Sequence, residues 1–70
     1  MFLTTHKLDK NEWGVYKGSA KLGTIEWCGL CEDWHFKVWP GVILSLRTLL
    51  ELTPMLHDFN HSNYYTEVRH

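Results

Sequence analysis

The sequence predicts an α+β fold, in which three or four antiparallel strands are followed by one or two C-terminal helices packed on one face. Stretches within the first 39 residues alternate between the two sides of the chain, which is the period of a half-buried strand. After Pro40-Gly41, apolar residues recur every three or four positions, which is the period of an amphipathic helix. Seventy residues are enough for one domain only, so residues 1–70 are expected to form a single small globular domain.

The strand pattern is clearest in DWHFKVW, residues 33–39, where Trp34, Phe36 and Val38 share one side. Residues 12–17 and 21–28 alternate less regularly, and the turn sequences KGSA and GLCED separate the three stretches. Residues 2–8 are a fourth candidate strand, closed by DKN. The order of strands and short turns favours a meander.

The helix pattern begins after the Pro-Gly pair. Leu46, Leu49, Leu50 and Thr53 lie at i, i+3, i+4 and i+7, so they predict a helix from about residue 43 to 52 with this stripe facing the core. A fifth strand over residues 42–46 is the alternative interpretation.

Thr53-Pro54 marks a boundary in this pattern, because proline cannot donate the helical hydrogen bond but suits a first turn. Thr53 can therefore cap a second short helix over residues 54–60, with Met55, Leu56 and Phe59 facing inward. A single kinked helix is the alternative. The tail from about residue 62 has no period and is expected to fray.

Aromatic residues are expected on both faces of the sheet. One helical layer covers one face, which should bury Trp34, Phe36 and Val38 with Trp13, Ile25 or Trp27. The opposite face is the expected binding surface, because exposed aromatic and aliphatic side chains are typical of protein contacts. The alternative is that the N-terminal segment and the NYY sequence of the tail cover this face. Its predicted residues are Tyr16, Leu22, His35 and Trp39.

The charge pattern argues against nucleic acid as a partner. Seven basic residues are scattered among eight acidic ones, the net charge is −1, and no basic block is present. The longest apolar stretch, VILSLRTLL, is too short to span a membrane, and the N-terminus lacks the apolar run of a signal peptide. We therefore expect a cytoplasmic protein with reduced cysteines and no membrane partner.

Cys28 and Cys31 form a Cys-x-x-Cys pair that fits a redox dithiol, half of a zinc site or a tight turn. A dithiol of the thioredoxin type needs a helix behind its first cysteine, whereas a strand pattern follows here. Glu32 and Asp33 are also expected to raise the thiol pKa.

A zinc site would combine the two cysteines with His57 and His61, which lie at i, i+4 on one helix face. However, 25 residues separate Cys31 from His57, about twice the spacing of a usual finger. The sequence therefore predicts no cofactor and a fold that forms without zinc, with a zinc site from these four residues as the alternative.

The expected function is non-enzymatic. The sequence contains no strand-turn-helix setting for a nucleophile, no phosphate-binding glycine motif and no arguable pair of catalytic carboxylates. It predicts a small adaptor, regulator or inhibitor that binds another protein or itself, of the stand-alone kind encoded by bacteria and phages. The alternatives are a zinc-stabilised module, for which nucleic acid is one candidate ligand, and a dithiol redox protein.

Overall fold

The computed structural model describes residues 3–61, which form four strands and one helix. These elements are β1 (Leu3–Asp9), β2 (Glu12–Lys17), β3 (Ala20–Cys28), β4 (Asp33–Val38) and α1 (Leu46–His61). The strands form one antiparallel sheet in the order β1-β2-β3-β4. The predicted meander followed by a C-terminal helix is confirmed, with four strands.

Short turns join neighbouring strands and set their register. Lys17 pairs with Ala20, so only two residues form the second turn, and Gly18 there has a φ of 64°, a conformation that glycine adopts readily. The third turn is longer, because Cys28 pairs with Asp33 and four residues lie between them. Glu32 in this turn has a φ of 54°. This four-residue turn carries one cysteine and follows the other.

The core lies on one face of the sheet, where Phe59 of α1 contacts the strands. Its ring meets the rings of Trp13 and Trp34 edge-on, with centroids 5.5 and 5.4 Å apart. The fully buried cluster consists of Val15, Ile25, Trp34 and Phe59. The partly buried residues around it are Leu3, Trp13, Trp27, Phe36, Met55 and Leu56. Each aromatic residue expected on this face therefore lies in the buried cluster or packs against it.

Val38 was predicted on the buried face but is 45% exposed. It is the last residue of β4, and the hydrogen bonds and ring contact that join α1 to this strand lie at Trp34, near its other end. The correct side of the strand was thus predicted, but not how far the helix covers it.

The helix begins at Leu46 because Ser45 caps it. The Ser45 Oγ accepts a hydrogen bond from the backbone N–H of Thr48 (3.2 Å), and the Ser45 carbonyl accepts one from the N–H of Leu49 (3.0 Å). Residues 42–45 belong to neither a helix nor a strand. The predicted start near residue 43 is therefore three residues early, and the alternative fifth strand is wrong.

Pro54 lies inside α1, so the two predicted helical segments form one continuous helix of 16 residues. Thr53 does not cap a second helix. Its hydroxyl donates a hydrogen bond to the Leu49 carbonyl in the preceding turn (2.9 Å). This side-chain bond lies next to the position where proline removes a backbone donor.

The buried stripe of α1 differs from the predicted one. Thr48, Leu52 and Phe59 are buried, with Met55 and Leu56 partly buried between them. The predicted stripe of Leu46, Leu49, Leu50 and Thr53 is exposed. The run LRTLLEL places leucines on more than one side of a helix, so its periodicity did not decide which side would face inward.

The C-terminal end of α1 is fixed to the edge strand by Asn60. Its Oδ1 accepts a hydrogen bond from the Trp34 N–H (2.7 Å), and its Nδ2 donates one to the Trp34 carbonyl (3.2 Å). The side-chain amide thus pairs with β4 as a neighbouring strand would. The tail from about residue 62 lies outside the described residues, and no helix within 3–61 is long and apolar enough to cross a membrane.

Candidate functional site

The four residues predicted as a binding surface occupy different environments. Tyr16 is half-buried against the ring of His6, with centroids 5.3 Å apart. Leu22 is only 9% exposed and offers little surface of its own. Trp39, whose N–H donates to the Leu22 carbonyl, is 48% exposed. His35 is exposed, but it lies beside the cysteines.

Trp39 forms part of an open groove of about 490 Å³. The ammonium group of Lys21 lies 4.4 Å from the centre of the Trp39 ring, within the range of a cation–π contact. The groove is lined by Glu12, Lys21, Thr24, Glu26, Lys37, Val38, Trp39 and Pro40. Its charges are mixed, two acidic and two basic, so the groove does not select an anionic ligand.

A second exposed surface lies on the first turns of α1. Leu46, Leu49 and Leu50, which we call the leucine surface, are at i, i+3 and i+4 and therefore share one side of the helix. Leu46 is 72% exposed and Leu50 is 65% exposed. Ile43, just before the helix, is almost fully exposed as well. The sequence pattern located these leucines, but assigned them to the core.

The third candidate site lies at the turn between β3 and β4. The ligand atoms of Cys28, Cys31 and His35 all lie within 4.8 Å of one another. Among the described residues, this is the group of cysteine, histidine and acidic side chains that could hold a metal ion. Both cysteines are free thiols. Two thiols and an imidazole can together bind a transition metal. The two thiols can also be oxidised to a disulfide.

His57 and His61, the two histidines of the alternative zinc site, are not part of this group. Their rings stack on each other at the exposed C-terminal end of α1, with centroids 4.1 Å apart. Of the four residues in the alternative zinc site, only the two cysteines belong to this group, and His35 is the histidine that the fold brings to them. The signal that could have identified His35 is the register of β3 with β4. His35 pairs with Glu26, so it lies on the same side of the sheet as Cys28.

The two thiols have opposite pKa shifts. The Cys31 side chain and the backbone N–H groups of Cys31 and Leu30 hydrogen-bond to the Cys28 sulfur, and they lower the pKa of Cys28. Donating to Cys28 raises the pKa of Cys31. The charge of Asp33 raises the pKa of both thiols, as predicted, but at Cys28 the local hydrogen bonds outweigh it and the pKa is lowered.

Comparisons with protein-family models, with curated proteins and with solved structures gave no match to this chain. The candidate functions therefore rest on the surfaces and side-chain groups described above.

Proposed function

We propose that this protein is a small, non-enzymatic protein-binding module that docks on another protein through the leucine surface of α1. The observation that carries the proposal is the exposure of Leu46 and Leu50 on a helix whose other side is already buried against the sheet. Contiguous exposed leucines have a free-energy cost in water that a partner's apolar surface would remove.

The spacing of these leucines fits a known mode of recognition. A helix that presents apolar residues at i, i+3 and i+4 can bind in a hydrophobic groove of its partner. Since each Å² of apolar surface removed from water contributes about 25 cal/mol, a few leucines can supply the centre of such an interface. The partner is proposed to be a protein, because the leucine surface lacks the cluster of basic residues that phosphate binding requires.

Trp39 is proposed as a secondary contact, while the half-buried Tyr16 and the buried Leu22 contribute less. An adaptor, a regulator or an inhibitor would all dock in this way. The proposal includes a reducing compartment such as the cytoplasm, in which Cys28 and Cys31 would remain thiols.

The test uses the double variant Leu46→Asp/Leu50→Asp as bait in affinity capture, beside the wild type. Both side chains are exposed, so far-UV circular dichroism should be unchanged. Losing a central apolar anchor costs about 2 kcal/mol or more, about 30-fold in Kd. We expect the captured partner, and any self-association seen by sedimentation, to be lost.

Leu8→Asp is the control, because Leu8 is an exposed leucine on another element, near the end of β1. This variant should capture the same proteins as the wild type. Trp39→Ala should weaken capture without abolishing it. If the double variant binds the same partner with wild-type affinity, the leucine surface is not the docking site.

A further inference from the structure

The turn between β3 and β4 brings together a group of side chains that the proposed protein-binding function does not use. Cys28 ends β3, Cys31 lies in the turn, and His35 follows in β4. We propose that these three residues bind one Zn²⁺ ion, with water in the fourth coordination position.

The donor set fits zinc. Thiolate and imidazole are the ligands of many four-coordinate zinc sites, and soft sulfur donors disfavour Mg²⁺ and Ca²⁺. Two sulfurs at about 2.3 Å from a tetrahedral ion are about 3.8 Å apart. The three donor atoms lie within 4.8 Å of one another, so small side-chain rotations would bring them to this distance.

The turn already holds the first sulfur in a defined position. The backbone N–H of Cys31 donates a hydrogen bond to the Cys28 Sγ, 3.4 Å away. Such a bond stabilises a thiolate and remains available when the sulfur binds a metal. Binding would replace two thiol protons with two Zn–S bonds, and both protons would be released to water.

Asp33 is placed to orient the histidine. Its Oδ2 lies 3.8 Å from the Nε2 of His35, and its Oδ1 is buried without a hydrogen-bond partner among the described residues. Histidines that bind zinc commonly donate their other N–H to a carboxylate, which fixes the ring. We assign this positioning role to Asp33. Cys31 and His35 are exposed, so water can reach the fourth position.

The experiment titrates the reduced, metal-free protein with Co²⁺ and then with Zn²⁺. We expect a thiolate-to-cobalt charge-transfer band that saturates at one equivalent and disappears as one equivalent of Zn²⁺ replaces the cobalt. Cys28→Ser and Cys31→Ser should each abolish the band. His35→Gln should lower the affinity at least about 10-fold, and Asp33→Asn should lower it about 10-fold while the band is retained.

His57→Gln and His61→Gln are the matched controls, since both change exposed histidines outside the group. They should leave the titration unchanged. Circular dichroism of each variant checks that the fold is retained. The proposal is overturned if the wild type gives no charge-transfer band at micromolar metal, or if a control variant, and not His35→Gln, lowers the affinity. Neither result depends on the leucine surface, so this test and the binding test fail independently.

Discussion

At the scale of single residues, the two thiols of the turn illustrate how local geometry overrides sequence neighbours. Glu32 and Asp33 follow Cys31 directly, yet the hydrogen bonds that the Cys28 sulfur receives lower its pKa. Cys31, the donor of two of them, has a raised pKa. The more exposed thiol is therefore the less acidic one.

This difference predicts an order of alkylation in the metal-free protein. A thiol with a lowered pKa becomes a thiolate at lower pH, and the thiolate is the nucleophile. As the pH rises from 6 to 9, we expect iodoacetamide to modify Cys28 first and Cys31 at higher pH. Peptide mass spectrometry at each pH measures both sites. If Cys31, the more exposed thiol, is modified at lower pH than Cys28, the result would contradict the opposite pKa shifts of the two thiols.

At the scale of elements, the pairing of β3 with β4 depends on Gly23. A Cβ atom at this position would lie 2.2 Å from the Lys37 carbonyl oxygen and 2.8 Å from the Phe36 ring. The first neighbour is backbone and cannot rotate away. Any side chain at residue 23 would therefore push the two strands apart.

Gly23→Ala should accordingly destabilise the protein by about 1–3 kcal/mol, the usual cost of overpacking. Gly29→Ala is the matched control, because a Cβ there would have no heavy atom within 4 Å. Chemical denaturation monitored by tryptophan fluorescence measures both changes. Equal stability of the two variants would mean that β4 can shift at little cost.

At the scale of the whole molecule, aromatic residues supply a core that a chain of this length can otherwise barely form. Among residues 3–61, Trp34 and Phe59 are the two largest fully buried side chains, and they contact each other directly. The buried cluster contains neither cysteine. The turn between β3 and β4 thus lies outside the buried core.

Metal removal should therefore leave the fold intact. After treatment with EDTA and a reducing agent, we expect an unchanged far-UV circular dichroism spectrum and a cooperative thermal transition. Added zinc should raise the Tm, because an ion that binds only the folded state stabilises it by mass action. A chain that is unfolded without metal would show that the aromatic core is insufficient.

Much of the fold could be predicted because the relevant signals are local. The alternation around Trp34 identified β4 and its buried side, and glycine in the Lys17–Ala20 stretch marked a tight turn. Both features depend on the geometry of a few consecutive residues. Composition also contributed, since four tryptophans in 70 residues implied an aromatic core.

The candidate sites were decided by the tertiary structure. Periodicity defines the sides of a helix, but not which side the sheet covers, so Leu46 and Leu50 were assigned to the core and Leu52 was not. Likewise, the Cys-x-x-Cys spacing identifies two metal-binding side chains but not the third. The register of β3 with β4 brings His35 to the cysteines, whereas α1 places His57 elsewhere. The sequence by itself determined the elements and their apolar sides. Only packing decided which of these sides became core and which donors became neighbours, because both depend on distances between residues that are far apart along the chain.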